Sequence, residues 1–202
     1  MAFRVLIDAC VLLPYQLCDL LLRLGETDIY QPLWSDQILE EVERNLVTTL
    51  GRTEQQAARR VGQMRKVFPH ATVSGYEALV PAMTNDPKDR HVLAAAIHGQ
   101  AALIVTANLK DFPAEALAPY GIEAVHPDEF LLDQLDLYPQ QTTRCLQQQR
   151  AAYRNPSFTR SEFYNSLSQT APQFAVAAQE SEGAGVYLEL VAGTAHETVP
   201  GG

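Results

Sequence analysis

Residues Phe3 to Ile7 form an apolar run broken only by Arg4 and closed by Asp8. A run this short, partly β-branched and apolar on both alternating faces, suits a strand buried from two sides. Parallel sheets covered by helices supply that environment. A second run, AALIVT over 101–106, ends in Ala107 and Asn108. Helical patterns lie over 12–24, 35–50, 54–68 and 86–98. Strands alternating with helices predict an α/β protein of three α/β/α layers around a central parallel sheet. With 47% hydrophobic residues in 202, the chain has material for one such core and an appendage.

Further along, Ile122 to Val125 follow the turn signal at Pro119, Tyr120 and Gly121 and predict another short strand. His126, Pro127 and Asp128 then open a helix that runs through Leu135. These signals predict a first domain over 1–138 and a small helical C-terminal extension over 139–178. Within the extension, Thr159 and Glu162 have the spacing of a capping box. Residues 179–202, rich in Gly, Ala and Thr, predict a flexible tail, with an edge strand over Val186 to Val191 as the weaker alternative.

No uncharged apolar run approaches the ~18 residues of a membrane span. The N-terminal run contains Arg4 and stops at Asp8, unlike a signal peptide. A cytoplasmic protein with no membrane partner is therefore expected. Cys10, Cys18 and Cys145 form no CxxC pair and read as small buried hydrophobes in a reducing compartment.

Open parallel sheets bind ligands beyond the carboxyl ends of their strands, which gives weight to Asp8 and Asn108. Asp8 also fits a helix N-cap for the segment after it. Over 35–46, Ser35 fits an N-cap, and Ile38, Leu39, Val42 and Leu46 form the buried stripe. Glu41 borders one side of that stripe and Glu43 the other, while Glu40 and Arg44 face outward. Periodicity does not choose between Glu41 and Glu43. Asp86, Pro87 and Asp89 read as N-cap, first and third positions of a helix, where acids offset the macrodipole. The apolar run over 91–97 that follows would hold Asp89 beside the sheet. After the second strand come Asn108, Lys110 and Asp111 on one connection. The net charge of −9 excludes a nonspecific nucleic-acid coat, which needs cations to neutralise phosphates. It does not exclude a nuclease, because carboxylates gathered around a divalent metal are acidic by necessity.

Four stretches in order, VLIDACVLLP, WSDQILEEVERNL, NDPKDRHVLAAAI and IVTANLKDFP, span residues 5–113. Together they resemble the PIN-domain family, and within it the VapC-type toxins of toxin–antitoxin pairs, in a branch with a helical C-terminal extension. The resemblance implies a nuclease with Asp8, Glu41 and Asp89 as ligands of Mg²⁺ or Mn²⁺, which selects Glu41 over Glu43. At the last family position, usually an aspartate two residues after the strand's threonine, this chain has Asn108, with Asp111 three residues on. Either one completes the catalytic set. The implied function is a metal-dependent endoribonuclease cleaving RNA, with tRNA or rRNA as substrate. A cognate antitoxin and a homodimer are implied as well. Arg59, Arg60, Arg65, Lys66, Arg90 and Lys110 are candidates to guide the RNA backbone. The alternative is a PIN-like scaffold that binds RNA or protein without hydrolysis, motivated by Asn108 and the acidic balance.

Overall fold

The computed structural model describes the backbone of residues 3–194 and the side chains of 3–183. Five strands form one sheet: β1 (Phe3–Ile7), β2 (Tyr30–Ser35), β3 (Thr72–Val73), β4 (Leu103–Val105) and β5 (Glu123–Val125). All neighbours are parallel, in the order β3-β2-β1-β4-β5. The two apolar runs lie side by side at the centre, Val5 opposite Leu103 and Ile7 opposite Val105. Val5, Leu6 and Ile7 are fully buried, as a strand covered on both faces requires.

Ten α-helices surround the sheet among the described residues: α1 (Ala9–Leu12), α2 (Tyr15–Gly25), α3 (Asp36–Thr48), α4 (Glu54–Val67), α5 (Arg90–His98), α6 (Ala114–Leu117), α7 (Pro127–Leu137), α8 (Pro139–Ala152), α9 (Arg160–Leu167) and α10 (Pro172–Thr194). The chain steps outward from β1 to β2 and β3, then crosses back to the far side of β1 for β4 and β5. Right-handed crossovers then put α1 to α4 on one face and α5 and α6 on the other.

Three expectations change. The helix over 12–24 is two helices, because Pro14 holds an extended backbone (ψ 123) and lacks the N–H that a continuous helix needs. The helix expected to open at Asp86 starts at Arg90. Asp86 instead closes a turn, its Oδ1 accepting from Lys88 N at 3.0 Å and its carbonyl accepting from Asp89 N at 2.9 Å. Finally, α10 carries helical backbone through Thr194, so 179–194 is neither tail nor edge strand. The rest of the expected tail, 195–202, lies outside the described residues. The stripe of α3 is as read: Ile38, Leu39, Val42 and Leu46 are buried and Ser35 Oγ caps Ile38 N.

The C-terminal helices share the single core. Phe163, Leu167 and Phe174 are fully buried in the same cluster as the sheet residues, with α8 and α9 packed on α2. Asp128 of α7 fastens α10, its carboxylate accepting from Gln173 N at 3.1 Å and Phe174 N at 2.8 Å. These are two of the otherwise unpaired amides of a helix start. Asp128→Ala is expected to cost about 1–3 kcal/mol in urea unfolding. A loss under about 0.3 kcal/mol would mean that water serves those amides as well. Among the described residues no helix is long and apolar enough to cross a membrane.

Candidate active site

The strand order reverses between β1 and β4, and the carboxyl ends of those two strands border the crevice where open α/β sheets bind ligands. Asp8 follows β1 and Thr106 follows β4. They are joined directly: Thr106 Oγ1 donates to Asp8 Oδ2 at 2.7 Å, and Asp8 N donates to Val105 O at 3.0 Å. Asp8 Oδ1 accepts from Ala9 N at 2.6 Å, so the same carboxylate caps α1. The two readings of Asp8, cap and crevice wall, are therefore compatible. One oxygen serves the helix and the other faces the strand ends.

Cys10 departs from its expected role as a buried hydrophobe. It is partly exposed, and its Sγ donates to Asp8 Oδ2 at 3.0 Å. Burial, then the charge of Asp8 and the bond to it, push the thiol up to about 12, so it stays protonated. Cys18 and Cys145 are buried as expected.

Asp89 occupies the N-cap position of α5, yet its side chain makes no capping bond. The carboxylate is therefore not spent on the helix, while His91 to Ala96 behind it are buried and fix its backbone. Burial, then the negative charges of Asp8, Asp111 and Asp86, raise the Asp89 carboxyl from 3.8 to about 6; His91 opposes them. The loop after β4 is tied to this turn. Asp111 N donates to Asn108 O at 2.9 Å, and Asp86 N donates to Asp111 O at 3.2 Å. Asn108 N donates to Thr106 Oγ1 at 3.0 Å while its side chain is exposed, and the charge of Asp111 is among those that raise Asp89.

Glu41 stands at the margin of the cluster. Its Oε1 lies 3.1 Å from Nε2 of buried His91 on α5. The ring N–H is not aligned with that oxygen, so neither His91 nitrogen has a directional hydrogen bond and the contact is electrostatic. Thr106, Cys10 and His91 are the residues that sequence reasoning did not assign to the site. Each takes its place through a partner on another element or, for Cys10, through the turn at the start of α1.

No Lys or Arg forms an ion pair with Asp8, Asp86, Asp89 or Asp111 among the described residues. Of the candidate guiding cations, Arg65 is paired with Asp36, Arg60 donates to Leu12 O and Leu13 O, and Arg90 donates to Asn85 O at 3.4 Å. Arg59, Lys66 and Lys110 are exposed. Among the described residues, no three His, Cys, Asp or Glu side chains are close enough to form a ready-made metal cage. The donor set is nevertheless all hard oxygen, negatively charged and without a compensating cation, which fits a divalent ion once the side chains turn inward.

A raised carboxyl favours the folded state while protonated. Its contribution is present below the ordinary value of 3.8 and is lost as pH rises through about 6. In EDTA, Asp89→Asn is therefore expected to stabilise the protein at neutral pH by about 1–2 kcal/mol, a figure discounted for partial exposure. The gain should vanish in acid. Urea unfolding across pH checks this, and a pH-independent gain would trace it to packing instead.

A family model described as PIN domain matches residues 4–110. A second, described as VapC50 C-terminal domain, matches residues 127–180, starting at the first residue of α7. A Mycobacterium tuberculosis protein named "Putative ribonuclease VapC50" is 51% identical over 105 residues, which are 52% of this chain. The match spans 62% of that relative's length, less than two thirds. No solved structure matches the chain.

Proposed function

The chain belongs to the PIN-domain family, and from that premise we propose that it is a metal-dependent endoribonuclease acting as the toxin of a toxin–antitoxin pair. The observation that carries this reading is the cluster at the reversal of strand order. Burial, then the charges of Asp8, Asp111 and Asp86, raise the Asp89 carboxyl to about 6, and among the described residues no Lys or Arg pairs with any of these four acids. Four carboxylates gathered in a ligand crevice without a Lys or Arg paired to them point to a cation supplied from outside.

Asp8, Glu41 and Asp89 would hold Mg²⁺ or Mn²⁺, with Asp111, a charged oxygen donor, or the amide of Asn108 completing the set. Such an ion supplies positive charge against the scissile phosphate and lowers the pKa of a water at the site. The protein's own part is orientation. Thr106 and Ala9 fix both oxygens of Asp8, buried α5 fixes the Asp89 backbone, and His91 draws Glu41 toward α5. Tight geometry of this kind converts binding into rate by removing motions that would otherwise be frozen in the transition state. On the same family reading we expect the RNA target among tRNA and rRNA, a cognate antitoxin and a homodimer.

The test is cleavage of a mixed tRNA and rRNA pool by purified protein with Mn²⁺, beside an EDTA control and Asp89→Asn. Cleavage is expected with wild type and Mn²⁺ alone, and its fragments identify the RNA. Intact RNA with folded, Mn²⁺-saturated wild type would overturn the ribonuclease reading in favour of a scaffold.

A further inference from the structure

A groove of about 1290 Å³ opens between α2, α4 and the bend at 153–158 that joins α8 to α9. It exceeds the ~300–1000 Å³ of small-molecule sites. We propose that this groove holds the single-stranded RNA flanking the scissile phosphate, an inference that rests on RNA being the substrate as read above.

Charge is the first argument. Arg52, Arg59 and Arg154 line the groove, are exposed, and have no ion-pair partner among the described residues. The acid on the wall is already engaged: Asp19 accepts from Arg23 at 3.2 Å and from the Tyr153 hydroxyl at 3.1 Å. Glu26, beyond the last turn of α2, is the remaining carboxylate. In a chain of net charge −9, three uncommitted arginines along one groove make a local polyanion site.

Aromatic surface is the second. Tyr15 is 62% exposed, so most of its ring surface is open to a stacking partner. It is not loose, because the Arg60 guanidinium stands 5.5 Å from its centroid and the Tyr153 ring 5.8 Å away at a tilt of 40°. A fixed ring, open over most of its area and set among arginines, is the combination that binds single-stranded nucleic acid without regard to sequence.

Position is the third. Arg60 Nη1 and Nη2 donate to Leu13 O at 3.0 Å and Leu12 O at 2.6 Å, the last carbonyls of α1. The other end of α1 is capped by Asp8, and four helical residues span only about 6 Å. The end of the groove at Pro14 and Tyr15 thus lies one short helix away from Asp8. The apolar floor alone would also suit a peptide; the unpaired arginines and the held, exposed tyrosine favour RNA.

Fluorescence anisotropy with a short fluorescein-labelled single-stranded RNA of mixed sequence, in EDTA, reads binding apart from cleavage. Tyr15→Ala is expected to weaken binding roughly tenfold, while Tyr15→Phe retains it. The double variant Arg59→Gln with Arg154→Gln is expected to reduce the slope of log affinity against log salt by about 1.4, for two single-strand phosphate contacts. Circular dichroism melts verify folding of each. Wild-type affinity and salt slope in both folded variants would overturn the proposal and leave the groove to a peptide. The two readings fail separately. Groove-dependent binding without Mn²⁺-dependent cleavage removes the nuclease and keeps the groove; cleavage with RNA binding indifferent to both variants does the reverse.

Discussion

Asp8→Asn is expected to abolish RNA cleavage, by on the order of 10³-fold or more, because losing a metal-holding charge removes several kcal/mol of transition-state stabilisation. The fold should survive, since the amide oxygen still accepts from Ala9 N and the amide N–H₂ can donate to Thr106 Oγ1. Stability is therefore expected to stay within about 1 kcal/mol of wild type. Asp8→Ala is the contrasting variant. It removes the cap of α1 together with the charge, and costs a further ~1–2 kcal/mol in unfolding. Initial rates on the RNA identified from the pool, alongside thermal melts, separate the two effects. Cleavage within tenfold of wild type in Asp8→Asn would reduce Asp8 to a helix cap. An unfolded Asp8→Asn would make it structural.

Why Asp8 could be singled out from sequence, and Thr106 could not, follows from where the information lies. β1 and β4 are short apolar runs with polar ends, and α3 has a cap and a clear buried stripe, so both types of element are written locally. Asp8 sits just beyond β1, Asp89 just before α5 and Asp111 in the loop after β4, and the structure brings the charges of Asp8 and Asp111 within reach of Asp89. β2 is different. Gln31 and Pro32 interrupt it, and its strand character comes from pairing with β1, Phe3 opposite Tyr30. Pro32 is tolerated because β3 pairs only with Trp34 and Ser35, leaving the outer side of β2 without a partner at that level. β3, two residues long, has no periodicity to read. The bond from Thr106 to Asp8 crosses 98 positions, and the His91 contact with Glu41 joins two helices from opposite faces of the sheet. Such contacts exist only once the topology is fixed. Asp86 misled for the opposite reason. Its local signal for a helix start was sound, but Asx-turn bonding to Lys88 N competes for the same side chain and delays the helix to Arg90.

Glu182→Ala is expected to produce the largest stability loss, about 3 kcal/mol, although it lies far along the chain from the candidate active site. Glu182 is 4% exposed and holds three elements at once. Arg150 of α8 grips both carboxylate oxygens at 3.0 Å, while Arg160 Nε and the Tyr164 hydroxyl, both from α9, each donate to Oε2 at 3.0 Å. Removing the carboxylate leaves two guanidinium groups facing each other and a buried hydroxyl without an acceptor. The guanidinium groups retain 26% and 41% exposure, so water recovers part of the loss and the figure falls at the low end for a broken buried pair. The network also has a pH signature. Burial by itself would raise the Glu182 carboxyl, but the bonds from Arg150, Tyr164 and Arg160 outweigh it and hold it below the ordinary value of 4.5. The stabilisation is accordingly present above that value and lost as pH falls through the lower folded one. Wild type and Glu182→Ala should therefore differ most near neutrality and converge in acid. A constant difference in urea unfolding across that range would show that Glu182 stabilises α10 by packing rather than by charge.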